Sequence, residues 1–164
     1  MKFKAAIYLN GLIAGIIGAA VIAIWFLFLD TVRGLPFYAP TVLGTGLFQG
    51  AEDLASTERV QVSLQLTLMY TWVHALVFIV LGEIAAFALS AATNPNPWLL
   101  SLLLFAILEL GFIGTTSALA RPVFDELTWP AVLVGNLLAA AGMSIFLWLR
   151  QANSKEVTRA EQPG

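Results

Sequence analysis

The sequence predicts an all-α protein, a four-helix transmembrane bundle with an apolar outer loop, containing Gly and Pro, between helices 1 and 2. Three observations carry that expectation. Of 164 residues, 59% are hydrophobic and only 11% are charged, against roughly 25% charged in an ordinary soluble domain. The few charges leave four long stretches nearly free of them, and a membrane-spanning helix needs about 20 mostly apolar residues. All five Trp, namely Trp25, Trp72, Trp98, Trp129 and Trp148, fall near the ends of those stretches together with Tyr8 and Tyr70, as amphipathic rings at headgroup depth do.

The first span, 5–29, holds Asn10 as its one strongly polar residue. It follows Met1-Lys2-Phe3-Lys4 as a signal peptide would, but it is far longer than the apolar region of about 7–15 residues in a cleaved signal. It is read as a retained helix. The second span, 68–92, is stopped by Thr93-Asn94-Pro95-Asn96-Pro97, a strong turn signal. The third, 98–120, is interrupted by Glu109 and ends at Arg121-Pro122. The fourth, 129–149, opens on Trp129-Pro130, with Pro near the first helical position where its missing N–H is harmless, and closes at Arg150. Residues 1–150 thus form a single membrane domain. Residues 151–164 lack apolar periodicity and are expected to be a disordered cytoplasmic tail.

The outer loop, 30–67, is too long and too apolar to be an ordinary connection. Its stretch from Gly34 to Gly50 is rich in Gly and Pro, and Pro40 is suited to open a short helix, so this segment should lie in the interface or fold back as a cap. Ser56 or Thr57 is placed to cap an extension of the second helix. Asp30, at the C-terminal end of the first helix, opposes the helix dipole. It reads either as a hydrated interface marker or as a partner of Arg33 or Arg121 that pins the loop.

Gly11, Gly15 and Gly18 share one face of the first helix, and Gly135, Ala139 and Gly142 form a similar line on the fourth. Small residues let helix backbones approach closely. The first-helix line serves either packing within the chain or a homodimer seam.

An ionisable side chain at the bilayer centre costs about 2.5–3.5 kcal/mol on insertion scales, so His74, Glu83 and Glu109 need an explanation. With a rise of about 1.5 Å per residue, His74 and Asn136 reach similar depth and Glu109 lies near the midplane. His74 continues outward through Thr71 and Thr67, with Tyr70 beside it. These six residues, His74, Glu109, Asn136, Thr67, Thr71 and Tyr70, form a candidate polar cavity. Glu83, nine residues beyond His74, falls nearly opposite on the helix and stands as a second intramembrane acid. Two readings follow: interhelical hydrogen bonding, worth about 0.6 kcal/mol on average, or a proton-handling or ligand-binding cavity.

The composition also excludes whole classes. No Cys and a single His leave no thiolate or paired-imidazole ligation within one chain, and neither metal nor cofactor is expected. A net charge of −2 gives no nucleic-acid footprint. No catalytic triad, P-loop or His-Glu-x-x-His pattern is present, so no enzyme is expected. Three functions remain: a non-catalytic accessory or assembly protein acting by helix–helix association, a small permease or proton-coupled binding protein using the His74 and Glu109 cavity, and a cofactor-binding electron-transfer subunit. The implied partners are the lipid bilayer and either a second copy or another membrane protein.

Gly15-x-x-Gly18, Trp25-Phe26 with Asp30, Pro36, Pro40 and Leu43-Gly44, together with His74 and Gly135-Asn136, resemble a group of small uncharacterised bacterial four-helix integral membrane proteins. The resemblance covers most of the membrane portion. It implies an inner-membrane location and no assigned activity, so it carries over no functional residue.

Four spans put both termini on one side. That side carries Lys2, Lys4, Arg150, Lys155 and Arg159, whereas the other has Arg33, Arg59 and Arg121, which favours cytoplasmic termini under the positive-inside rule. Because the chain has no Cys, Ser154→Cys provides a single thiol for testing this topology. An impermeant thiol reagent should leave it unlabelled in intact cells and label it after the membrane is opened; labelling from outside would reverse the topology.

Overall fold

The computed structural model describes residues 2–50, 60–92, 96–119 and 129–160. Among them the regular structure is entirely helical, with α1 over Lys2–Val32, α2 over Tyr38–Phe48, α3 over Leu64–Ala91, α4 over Pro97–Leu119 and α5 over Trp129–Ala160. Four of these are long and apolar enough to cross a membrane, over Ala5–Val32, Leu64–Ala91, Pro97–Gly114 and Trp129–Asn153. The long helices adjoin in the order α3, α1, α5, α4, and α3 meets α4 and α5 only briefly. One apolar core nevertheless joins all four through Ala14, Phe78, Leu104 and Met143.

The α1–α3 contact is the closest because both helices lack side chains where they cross. A Cβ on Gly82 would collide with the Gly11 carbonyl and come within 2.5 Å of the Gly15 nitrogen. One on Gly15 would collide with the Phe78 carbonyl. The Gly face of α1 is therefore filled by α3 of the same chain, not held open for a second copy. Gly18 makes room for Phe78 and for the Met143 sulfur, and Gly135 lies under the Trp25 ring. Gly142 is less tightly placed, with the Ile17 side chain 3.5 Å from where its Cβ would be.

Chain reversal after α1 is built by local chemistry. Leu35 N–H donates to the Asp30 carbonyl at 2.9 Å and Gly34 N–H to the Thr31 carbonyl at 3.0 Å, the bond pair of a Schellman cap, with Gly34 at φ 75° as that motif favours. Tyr38 N–H then donates to the Leu35 carbonyl at 3.1 Å. This closes a turn with Pro36 first and Phe37 second at φ 68° and ψ 16°, the geometry of a type II turn. Gly is usual at that second position, so Phe37 carries strain of order 1–3 kcal/mol.

Helix α2 begins two residues before Pro40, which falls in its first turn where a missing N–H is tolerated. It lies against α3, with Gly44 so close that a Cβ would be 2.8 Å from the Leu66 carbonyl. Tyr38, Ala39 and Val42 cluster with Val132 of α5 and with the partly buried Phe112 of α4. The expected loop segment therefore packs over one end of the helical layer.

Two boundaries differ from the sequence expectation. Ser56 and Thr57 lie outside the described residues, and α3 starts at Leu64 with Ser63 as its cap, the Ser63 hydroxyl accepting from Leu66 N–H at 3.4 Å. Helix α5 continues to Ala160, where the sequence reading placed an irregular tail. Apolar periodicity ends at Arg150, but no Pro or Gly interrupts residues 151–160, and Ala152, Lys155, Glu156, Arg159 and Ala160 are good helix formers.

The crossing can be tested by adding one methyl group. Gly82→Ala should destabilise the folded protein in detergent by about 1–3 kcal/mol or more, the range for overpacking. Gly114→Ala, where an added Cβ meets nothing within 4 Å, should be near neutral. Equal unfolding midpoints for the two variants would contradict the close crossing.

Candidate functional site

The polar side chains within the long helices fall into separate groups, each tying one helix to another. At the α2 end, the Asp30 carboxylate is 2% exposed and accepts from Ala39 N–H at 2.7 Å. Ala39 is the second residue of α2, so Asp30 caps from a distance the helix that Phe37, its local cap residue, leaves without a side-chain bond. A carboxylate there also meets the favourable end of the α2 dipole. Of the two sequence readings of Asp30, the hydrated one gives way to a buried carboxylate that holds the loop segment. Arg33 lies near enough to interact with it electrostatically, while Arg121 falls outside the described residues.

Thr41 joins α2 to the start of α3. Its hydroxyl lies 3.1 Å from the Thr67 hydroxyl, donates to the Phe37 carbonyl at 2.8 Å and accepts from Ser63 N–H at 3.2 Å. Thr41 and Thr67 are both buried. Thr71 is exposed and turns its hydroxyl back to the Thr67 carbonyl at 2.7 Å. The threonine stripe serves helix docking at its buried end and its own backbone at the other.

His74 lies in an aromatic column. Its ring is 5.7 Å from Tyr70 in a stacked arrangement and 4.7 Å from Phe78 in a tilted one. Nε2 is 3.4 Å from the Ala19 carbonyl of α1. A carbonyl only accepts, so this bond requires the proton on Nε2.

Asn136 and Glu109 do come together. Asn136 Nδ2–H donates to Glu109 Oε1 at 3.1 Å across the α4–α5 contact, with Asn136 buried and Glu109 half-buried. Among the described residues no hydrogen bond links either of them to His74. The sequence reading assembled these residues from depth alone. His74 instead turns toward α1, whereas Glu109 turns toward α5, and α3 and α4 share little surface. Glu83 is placed apart again, half-buried, with its carboxyl in the space left by the absent Cβ of Gly11.

Three contributors were missed by sequence reasoning. Trp25 Nε1–H donates to the Ala131 carbonyl at 2.8 Å, near the start of α5, so a residue read as an interface anchor also fastens α1 to α5. Gln151 Nε2–H donates to the Leu89 carbonyl at 3.2 Å, which in the last turn of α3 also accepts from the Ala92 N–H of the cap at 3.3 Å. Ser144 is 1% exposed on α5. Ser144 and Gln151 are each eight and fifteen residues from Asn136, a helical spacing that could have signalled a shared face.

Among the described residues no group of three or more His, Asp or Glu is arranged to hold a metal ion. Comparison with protein-family models, curated proteins and solved structures gives no match to this chain, so its reading rests on its own geometry.

Double-mutant cycles separate these groups. Glu109→Gln with Asn136→Ala should show a coupling of about 0.6 kcal/mol, at most near 1.7, as intramembrane hydrogen bonds do. His74→Ala with Glu109→Gln should be additive to within about 0.3–0.5 kcal/mol when unfolding is followed in detergent. Strong coupling of His74 to Glu109 would restore the single cavity and contradict the separation.

Proposed function

We propose that this protein is a multi-pass protein of the bacterial inner membrane, with its four long helices spanning as a bundle and both termini in the cytoplasm. Acting without catalysis, it serves as an accessory or assembly protein through helix–helix association. The observation that carries the reading is the use of its intramembrane polar groups. Asn136 with Glu109, His74 with Ala19, Thr41 with Thr67 and Trp25 with Ala131 each fasten one helix to a neighbour. Polar groups spent on fixed interhelical bonds support a preformed scaffold in preference to a binding cavity.

The edges of the scaffold support the same reading. Helix α4 turns Leu100, Leu104 and Leu108 inward, while Leu99, Leu102 and Leu110 on its other side are 64%, 64% and 68% exposed. Such a face suits lipid or the helix of a membrane partner, for which a second copy and a different protein are both candidates. The orientation rests on the positive charges: five of the eight Lys and Arg lie on the side of the termini.

A second reading, a small permease or proton-coupled binding protein, is favoured by one observation, the half-buried carboxyls of Glu83 and Glu109 within the long helices. The two readings differ in what the isolated chain does. Under the assembly reading, gentle solubilisation followed by affinity purification should recover a membrane partner, or a second copy, in fixed stoichiometry. Liposomes containing the purified chain alone should show no proton flux above empty controls. Flux abolished by Glu109→Gln, with no stoichiometric partner, would overturn the assembly reading in favour of the second.

A further inference from the structure

Among the described residues, two buried side-chain atoms have no hydrogen-bond partner, Ser144 Oγ and Gln151 Oε1, both on α5. Leaving a buried polar group unpaired costs about 1–3 kcal/mol, and buried water commonly satisfies such groups. The Ser144 hydroxyl also differs from several threonine hydroxyls in these helices. Those of Thr31, Thr45 and Thr71 bond the carbonyl four residues back, as Ser and Thr usually do in helices. Ser144 makes no such bond and keeps both its donor and its acceptors for something else.

The surroundings supply what water needs, which is further polar partners at each atom. Helices α4 and α5 run antiparallel, since Phe112 clusters with Val132 while Glu109 bonds Asn136. In that register Ser101, eight residues before Glu109, is level with Ser144, eight residues after Asn136. Ser101 is half-buried, so α4 carries a second hydroxyl at the level of Ser144. Two turns further along α5, Gln151 has its amide N–H on the Leu89 carbonyl at 3.2 Å. Its Oε1 is thereby held at the C-terminal turn of α3, where the last carbonyls have no helical N–H to accept. A water can donate one O–H to Oε1 and the other to such a carbonyl.

We propose that the chain has two structural water sites at the end of the helical layer away from α2, one bridging Ser144 and Ser101 and the other joining Gln151 to the last turn of α3. The sites are separate, because Ser144 and Gln151 are about 10 Å apart along the helix and one water cannot span that distance. They tie α5 to α4 and to α3, two sequence neighbours that meet each other only briefly. The proposal does not depend on the assembly role, since it concerns the isolated chain.

Water-edited solid-state NMR of the labelled protein in bilayers tests it. Magnetisation from water should reach Ser144 and the Gln151 side chain quickly, and Met143 and Leu147, apolar buried neighbours on the same helix, slowly. Ser101→Ala should reduce transfer to Ser144 and leave Gln151 unchanged, while Ser101→Thr, which keeps the hydroxyl, should preserve both. Transfer to Ser144 and Gln151 as slow as to Met143, or a Ser144 response indifferent to Ser101→Ala in a variant that otherwise keeps its spectrum, would overturn the proposal.

Discussion

The arrangement depends on two helix backbones meeting where neither has a side chain. Helices α1 and α3 cross at Gly11, Gly15 and Gly82, so closely that a single Cβ at Gly82 would strike the opposite main chain. Apolar surface gains little by association in lipid, so packing contacts and interhelical hydrogen bonds must hold helices together. The crossing supplies the packing. It also sets the distance at which His74 Nε2 reaches the Ala19 carbonyl and at which the Glu83 carboxyl fits over Gly11. With α1 anchored to α3 on one side, Trp25 and the glycines of α5 anchor it on the other.

The same economy of side chain and main chain appears at the α2 end. Asp30 ends one helix through its carbonyl and starts the next through its carboxylate. Its burial is tolerable because the negative charge meets backbone N–H groups and the positive end of the α2 dipole. Thr41 then joins α2 to the start of α3 through the Thr67 hydroxyl and the Ser63 N–H. An amphipathic surface helix would need a polar face toward water; α2 instead buries Thr41 and Thr45 by bonding them within the protein.

Much of this was legible in the sequence and some was not, for definite reasons. The four long helices follow from hydrophobic run length, and their ends from Pro, Gly and Trp, which act locally. The Gly11 and Gly15 face was visible as a spacing, but its counterpart Gly82 was not, since a lone glycine carries no periodicity. Depth along a helix put His74 and Asn136 level and Glu109 near the midplane, and of these three the structure bonds Asn136 to Glu109. Depth failed for His74 because it says nothing about which neighbour a face meets, and α3 adjoins α1 in place of α4. Asp30 stayed open between a hydrated marker and a pin for the loop, because its backbone partner Ala39 lies nine residues away and a backbone N–H leaves no mark in the charge pattern.

The central claim is the α1–α3 crossing, and it can be measured on the unaltered chain. With 13C-labelled glycine incorporated into protein reconstituted in bilayers, dipolar correlation should give a Gly15–Gly82 Cα cross-peak, because the Gly15 Cα lies only 2.9 Å from where a Gly82 Cβ would be. That peak, with no transfer from lipid acyl chains to Gly82, is the result this structure predicts. Its absence, with Gly82 in contact with lipid, would show that the two helices do not cross at their glycines.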